Sequence, residues 1–414
     1  MGIIHCRMFS RSRMDIVAAA ILLTGIAVSG ISAKRITPIP PEDYIAYASG
    51  WLASDEGLNP YVYANAASSS AKADITLPEQ YSLVYPPPFL LLMEPLRFLS
   101  PLEYSRIWLI ILLLTGWAGV FLSSRVITNT HKRLMFVLSI TLLLSVSGPM
   151  ISAVRWGQIS PFLFFSLGVA LFTGLDSRIG GAALSVFLLT KIGLTSVILA
   201  LNSRRAWGTL LIVLLSLSIL SIALYGLEIW SSYLEWLDMA SSEWTLSRSN
   251  NLSIFGITTL LSQSWFIDSG NDLPRAERVT EYAYAQLAGK VLGTLAVIAT
   301  MLISILILNH WKLQGICEKL VSLDRVVSAA LLAWLSVGAC PIVYDHYGLL
   351  LVPLVAVSFA KFSTPYALVM FAFASIWCLL PASSTGIGIM HSIVCFAGTL
   401  VFAVLYSRKQ LERP

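Results

Sequence analysis

The sequence contains little charge. Of its 414 residues only 12% are charged, whereas 57% are hydrophobic, and the mean hydropathy is +0.77. A soluble domain carries about 25% charged residues, so the composition excludes an ordinary soluble enzyme. Apolar runs of roughly 20 residues, the length that a membrane-spanning helix needs, recur along most of the chain. These runs do not alternate with period two, as barrel strands do, and therefore predict a polytopic all-α membrane protein.

The sequence also lacks the patterns of several binding functions. Neither CxxC nor HExxH occurs, which removes the sequence case for a structural metal. No basic tract interleaved with aromatic residues is present, so nucleic acid is not an expected partner. None of the five cysteines lies in the two long polar segments, 34–106 and 227–282, so no disulfide framework is implied.

The apolar runs predict a topology of about 12 crossings in a single domain covering 1–414, with both termini in the cytoplasm. The stretch 179–202 is interpreted as two short helices that meet near Lys191, because this keeps the flanking arginines on one side and satisfies the positive-inside rule. The first run resembles a signal peptide, but its length favours an uncleaved anchor. Apart from the two short helices in 179–202, the predicted spans, with the first run included, lie near 15–33, 104–124, 134–153, 158–175, 206–227, 283–309, 326–343, 347–360, 364–381 and 386–406.

Charge is distributed asymmetrically in this topology. The cytoplasmic segments hold 16 Lys or Arg and 5 Asp or Glu, whereas the two long outer loops hold 8 and 16. Four ionisable residues lie at or within predicted spans toward the outer face: Arg155, Lys191, Lys290 and Asp345. Because such residues usually line a site, the functional site is predicted on the extracytoplasmic face. Nucleotide-sugars are cytoplasmic, so an enzyme on this face is expected to use a lipid-linked donor.

Asp43 is the first candidate for chemistry. It follows two prolines, which suit the first turn of a helix, and would share one helix face with Tyr47, Gly50 and Trp51 at the membrane surface. The helix dipole favours the ionised carboxylate, whereas burial raises its pKa. Two interpretations are open: a general base, or a helix-terminal acid with no further role.

Two short segments offer polar groups at predicted interfaces. In VYPPPF, Tyr85 lies at a rigid corner, although simple loop punctuation is the competing interpretation, and the prolines predict that no helix begins before the last of them. In RWGQISPF, Arg155 and Gln158 offer hydrogen-bond donors, and Arg155 could equally extend toward lipid head groups.

Three later segments complete the candidates. In LLTKIGLTS, Lys191 lies at a helix break, a position that is typical of binding sites, and its ammonium group suits a lipid phosphate. In VYDHYGLLL, Asp345 and His346 do not share a helix face, so His346 is expected to donate to a phosphate or to orient a sugar. In NNLSIFG, Asn251 precedes an apolar piece that is too short to span.

Six segments occur in order along nearly the whole chain: D-YIAYASGWLASDEGLNPY, YPPPFLLLMEPL, RWGQISPF, the TK stretch, NNLSIFG and DHYGLLLVPL. Together they resemble the GT-C superfamily of membrane glycosyltransferases. Within it, the chain is most similar to the bacterial family of polyprenyl-phosphate-sugar-dependent mannosyl- and arabinosyltransferases, once described only as a domain of unknown function.

The resemblance implies an inverting glycosyltransferase of the bacterial inner membrane, with no metal or other cofactor. Asp43 occupies the place of the family's general base, and Asp55, at the end of the same predicted helix and facing water, ranks second. The donor would be a polyprenyl-phosphate sugar, with mannose favoured, and the acceptor a glycan or glycolipid. A lipid-linked sugar transporter and a glycan polymerase or ligase are the alternatives. The expected donor-phosphate and substrate-binding residues are Lys191, His346, Arg155, Lys290, Tyr47, Tyr85, Gln158 and Asn251.

Overall fold

The computed structural model describes residues 2–77, 83–201, 203–243, 287–288, 291–300, 302–304, 324–339, 345–380 and 385–411. All regular secondary structure in these ranges is helical, which confirms the all-α class. The numbered α-helices are α1 (Gly2–Ile36), α2 (Glu42–Asp55), α3 (Tyr63–Lys72), α4 (Pro101–Ser124), α5 (Thr130–Val146), α6 (Gly148–Trp156), α7 (Ser160–Thr173), α8 (Arg178–Thr190), α9 (Arg204–Tyr225), α10 (Glu228–Glu243), α11 (Arg325–Ala339), α12 (Val352–Lys361), α13 (Thr364–Leu379) and α14 (Thr385–Leu411).

Four 3-10 helices lie between the α-helices: Pro87–Leu92, Glu94–Leu96, Ile192–Ala200 and Asp345–Leu351. The first of them corrects the prediction for the proline run, because it begins at the second proline, Pro87, rather than at the last. Pro86 is its N-cap, with an extended backbone (φ −62°, ψ 156°). The N–H groups of a first turn need no partner within the helix, so prolines are tolerated there.

Membrane-spanning helices are fewer among the described residues than the 12 crossings predicted. By length and composition, four helical stretches can cross a membrane: Met14–Arg35, Pro101–Ser124, Arg204–Tyr225 and Met390–Gln410. The pair α5 and α6 gives a fifth if it forms one bent span. The other apolar helices in the described ranges are 10–17 residues long, so a crossing there needs more than one helix.

The predicted straight span at 134–153 is a bent pair of helices. Helix α5 ends at Val146, and α6 begins at Gly148 at an angle of 49° to it. Pro149 lies in the first turn of α6, where its missing N–H is tolerated, whereas the same ring inside a continuous helix would displace the preceding turn. The sequence pattern missed this bend because the residues on both sides are apolar.

The chain divides into two compact units. Unit 1 consists of Met1–Arg125, Val137–Thr195 and Leu201–Ser242, and unit 2 consists of Val126–Phe136, Ser196–Ala200 and Glu243–Pro414.

In unit 1, α4 packs along α7, and α8 packs along α7 and α9. A Cβ atom at Gly119 of α4 would lie 2.7 Å from the Phe164 ring of α7, so a small residue is needed at this helix crossing. A hydrophobic core surrounds α2 and includes the aromatic residues Tyr44, Tyr47, Tyr85, Phe89, Tyr104 and Trp108.

In unit 2, α11 packs against α12 and α14, and α13 packs against its neighbours α12 and α14. Trp334 of α11 donates its indole N–H to the carbonyl of Cys395 on α14 at 2.9 Å. At the end of α12, Lys361 forms an ion pair of 2.5 Å with Asp324, which precedes α11.

Candidate active site

Helix α2 carries the acidic end of the candidate site. Pro41 precedes it in an extended conformation (φ −69°, ψ 150°), and its carbonyl accepts the Ile45 N–H at 2.9 Å. Asp43 lies in the first turn, where the helix dipole favours a negative charge. The structure buries residues on nearly every face of α2, not only the predicted face that contains Tyr47 and Trp51. The helix is therefore enclosed by protein of unit 1.

The turn after α6 brings Gln158 to Asp43. Gly157 ends α6 in the left-handed region (φ +77°), and a Cβ atom there would lie 3.1 Å from the Cβ atoms of Pro41 and Tyr44. The absence of a side chain thus permits both the turn and the close approach to α2. Trp108 holds the turn by donating its indole N–H to the Gly157 carbonyl at 2.9 Å. At this position the Nε2 group of Gln158 donates to Oδ2 of Asp43.

Tyr85 reaches the same place from the loop before the first 3-10 helix. Its ring is fully buried, stacks on Phe89 with centroids 4.3 Å apart, and meets the Tyr47 ring edge-on at 5.2 Å. Its hydroxyl donates to Oε1 of Gln158 at 3.2 Å and lies 3.2 Å from the Tyr47 hydroxyl. Tyr61 fixes the loop by donating its hydroxyl to the Tyr85 carbonyl at 2.8 Å. The loop-punctuation interpretation of Tyr85 is therefore incomplete.

Lys191 supplies a cation to this group of residues. Helix α8 ends at Thr190, Lys191 has a non-helical backbone (φ −134°, ψ 79°), and the 3-10 helix Ile192–Ala200 follows. The predicted helix break at Lys191 is thus confirmed. The Nζ atom lies 4.7 Å from the centroid of the Tyr85 ring, within cation–π range. Its charge also acts on Asp43 and on the Tyr233 phenol of α10.

Asp43 has a pKa near neutrality. Burial raises the pKa of its carboxyl group from the ordinary 3.8 to about 7, against the hydrogen bond from Gln158 and the charge of Lys191, which lower it, while the charge of Glu42 raises it. By surface area Asp43 is only partly buried, so its carboxylate combines a protein-lined surrounding with some exposure. A carboxylate with these properties can accept a proton at physiological pH.

The other predicted residues are placed as follows. Arg155 is exposed and lies over the Trp156 ring at 5.2 Å, and it forms none of the hydrogen bonds described above. His346 belongs to unit 2, where it is 2% exposed and meets the Tyr347 ring at 4.6 Å. Asp345 begins the last 3-10 helix.

Asp55 lies at the end of α2, is about half exposed and pairs with Arg97 at 3.3 Å. Lys290 and Asn251 lie outside the described residues.

A comparison with models of protein families identifies the family of the chain. Residues 83–335 match glycosyltransferase family 87, which is more than half of the chain. The chain belongs to glycosyltransferase family 87. This confirms the predicted resemblance to a membrane glycosyltransferase family. A search among curated proteins and a search among solved structures each return no match.

The family 87 match and the described geometry overlap in part. Tyr85, Gln158 and Lys191 lie within the matched residues, whereas Asp43 precedes them and His346 follows them. The first three are 33 or more positions apart along the chain, yet unit 1 brings them together with Asp43. The site that the structure assembles is therefore built from four separate segments of this glycosyltransferase.

Sequence reasoning missed Glu94. Its Oε1 atom accepts the indole N–H of Trp51 at 2.9 Å and the hydroxyl of Tyr225 at 2.6 Å, and its Oε2 atom lies 3.7 Å from Arg97. Glu94 thereby joins α2 to the end of α9. A single acid within the apolar segment LLLMEPL was the available signal, because an isolated carboxylate there needs partners.

Two tryptophans of unit 1, Trp51 and Trp236, differ in their surroundings. Trp51 is buried and bonded to Glu94, so its ring is already in contact with protein. Trp236 of α10 is half-buried and stacks on Tyr233, with centroids 6.2 Å apart and planes at 14°. Of these two rings, that of Trp236 has more surface left for a ligand.

Proposed function

We propose that this family 87 enzyme transfers a hexose or pentose, with mannose favoured, from a polyprenyl-phosphate sugar to a hydroxyl group of a glycan or glycolipid acceptor. The transfer takes place on the extracytoplasmic face of the bacterial inner membrane and inverts the anomeric carbon. The observation that carries the proposal is the Asp43 carboxylate, held by Gln158 in the same unit as the Lys191 ammonium.

Asp43 is the general base in this proposal. It accepts the proton of the acceptor hydroxyl while that oxygen attacks the anomeric carbon from the face opposite the phosphate. The bond between the anomeric carbon and the phosphate oxygen breaks, and its electron pair leaves with the lipid phosphate. A pKa of about 7 suits this role, because much of Asp43 is ionised at neutral pH and the base is still strong enough to take a proton.

Lys191 stabilises the leaving phosphate in this proposal. Negative charge on the lipid phosphate increases as the sugar departs, and a fixed cation in a low-dielectric site stabilises that charge more than water does. Lys191 caps the C-terminus of α8 through its backbone N–H to the Phe187 carbonyl, and its side chain lies over the Tyr85 ring. Phosphate contacts by Arg155, His346 and Lys290 stay predictions from the sequence.

Membership of a glycosyltransferase family favours this function over a lipid-linked sugar transporter. A lipid-linked sugar transporter needs no base, whereas the surroundings of Asp43 produce one at neutral pH. A polymerase or ligase would use the same chemistry on a longer acceptor, so the length of the product distinguishes it from the proposed enzyme.

The test is transfer of radiolabelled sugar by purified protein from a panel of synthetic polyprenyl-phosphate sugars to membrane glycolipid acceptors. We expect one donor to be used and the Asp43→Asn variant to lose about 10²- to 10⁴-fold in rate. Transfer is expected to continue in EDTA, since no divalent ion takes part in the proposed mechanism. Asp55→Asn is the matched control, because it removes an exposed acid from the same helix.

Two results would contradict the proposal. Transfer by the Asp43→Asn variant at the wild-type rate would exclude Asp43 as the general base. Absence of transfer from every donor by folded wild-type protein, together with translocation of the lipid-linked sugar in liposomes, would favour the transporter.

A further inference from the structure

Three hydrogen bonds in unit 1 form a chain that ends on Asp43. They join the Tyr47 and Tyr85 hydroxyls at 3.2 Å, the Tyr85 hydroxyl and Gln158 Oε1 at 3.2 Å, and Gln158 Nε2 and Asp43 Oδ2. Tyr47 and Tyr85 are at most 2% exposed, and Gln158 is 8% exposed. The chain is therefore buried along its length up to the carboxylate.

The chemistry of Gln158 fixes the direction of this chain. An ionised carboxylate only accepts hydrogen bonds, so the amide nitrogen must face Asp43 and the amide oxygen must face Tyr85. Tyr85 then uses its single hydroxyl proton on Gln158. The Tyr47 hydroxyl must consequently donate to Tyr85, and all three bonds point toward Asp43.

The chain distinguishes the two oxygen atoms of Asp43. Gln158 occupies Oδ2, and a carboxamide bonded at both ends cannot rotate without breaking a hydrogen bond in a buried place. The bond from Gln158 therefore restricts rotation of the carboxylate, and Oδ1 is the oxygen that Gln158 does not occupy.

We propose that Gln158, oriented by the Tyr85 hydroxyl, is a positioning residue that presents Oδ1 of Asp43 to the acceptor hydroxyl. This inference rests on the proposed function. It replaces the expectation that Gln158, Tyr85 and Tyr47 contact the substrate themselves, because their polar groups already bond to one another.

The experiment compares Gln158→Leu and Tyr85→Phe with wild type in the transfer assay. Tyr85→Phe removes one oxygen and keeps the ring, so it disconnects Gln158 and the Tyr85–Lys191 hydrogen bond together while the cation–π contact with Lys191 is retained. We expect kcat to fall by about 10- to 100-fold in Gln158→Leu and by less in Tyr85→Phe, with KM for donor and acceptor unchanged. Tyr44→Phe is the matched control, because its hydroxyl bonds the Pro101 carbonyl and lies outside the chain.

A pH profile gives a second readout. The groups that act on the charge of Asp43 are Gln158, Lys191 and Glu42, and Tyr85 also interacts with it electrostatically. Loss of the Gln158 donor destabilises the ionised form, so the acid limb of kcat/KM should move to higher pH in Gln158→Leu. The same shift should appear in the infrared titration of the Asp43 carboxyl, taken as wild type minus Asp43→Asn without substrate.

The outcomes separate this inference from the proposed function. If Asp43→Asn is inactive but Gln158→Leu keeps the wild-type kcat and pH profile, positioning by Gln158 is wrong and the base assignment stands. A rise in KM for either substrate with kcat unchanged would identify a substrate contact and overturn the inference. If Gln158→Leu does not fold, Tyr85→Phe decides by the same criteria.

Discussion

At the residue scale, burial of Asp43 has two effects. It gives the carboxyl group a pKa near neutrality, and it makes the ionised carboxylate destabilising to the folded protein. The pKa of this group is about 7 in the folded protein and 3.8 in the absence of burial, so between these values the folded state binds the proton more strongly. The contribution of Asp43 to stability must therefore fall as pH rises from about 4 to about 7. Above that range the cost of the buried charge is fully present.

This cost predicts the stability of Asp43→Asn. The variant has no carboxylate to bury, so it should be more stable than wild type at pH 8 by about 2–4 kcal/mol, a value reduced for the partial exposure of Asp43. The difference should shrink toward pH 5. Thermal unfolding of both proteins in one detergent across this pH range measures it. A variant that is less stable than wild type at pH 8 would show that the carboxylate contributes to the fold.

The residues of the site could be predicted from the sequence only one by one. Asp43 was identified by its position at a helix start, and Lys191 by its charge within an apolar run. Their relation to Gln158 and Tyr85 could not be predicted, because the hydrogen bond between these two joins positions 73 residues apart. The short-range pattern around Tyr85 indicates only a proline-rich corner.

At the scale of elements, the turn from α6 to α7 determines where Gln158 lies. Gly157 combines a left-handed backbone with contact distances of 3.1 Å from an added Cβ atom to α2 and the residue before it. The turn therefore sets both the end of α6 and the distance between two segments of the site.

Gly157→Ala should consequently reduce transfer as well as stability. The left-handed backbone costs about 1–2 kcal/mol for an alanine, and the added methyl group must displace α2 or the turn by a few tenths of an ångström. Gly174→Ala is the matched control, since Gly174 also has a positive φ (+93°) but no atom lies within 4 Å of its added Cβ. We expect both variants to lose stability and only Gly157→Ala to lose kcat by 10-fold or more. Equal kcat values in the two variants would show that the turn does not position the site.

Helix breaks were predictable where charge marks them and unpredictable elsewhere. The break at Lys191 followed from the arrangement of arginines around it. The 49° bend between α5 and α6 carries no charge, and Pro149 alone does not determine whether a span ends or continues. Hydropathy measures the length of an apolar run and not the continuity of the helix within it.

At the scale of the whole molecule, the family and the all-α class were predictable, whereas the number of crossings stays a prediction. The order of six short segments predicted a membrane glycosyltransferase, and the family 87 match over residues 83–335 confirms that class. Within the described residues, four or five helical stretches are long enough to span alone, and several other apolar runs form short helices of 10–17 residues, so the 12 crossings stay a prediction. Charge asymmetry therefore remains the basis for assigning sides of the membrane.

This asymmetry predicts which residues face the exterior. Lys72 in the first outer loop and Arg408 near the end of α14 are both exposed, and the topology places them on opposite sides. In a cysteine-free background, Lys72→Cys should react with a membrane-impermeant maleimide in intact cells, whereas Arg408→Cys should react only after permeabilisation. Because Asp43 lies in the same outer loop as Lys72, labelling of Lys72→Cys from outside would place the proposed base on the extracytoplasmic side. The reverse pattern would place the site on the cytoplasmic side, where nucleotide-sugars are accessible, and would remove the reason for a lipid-linked donor.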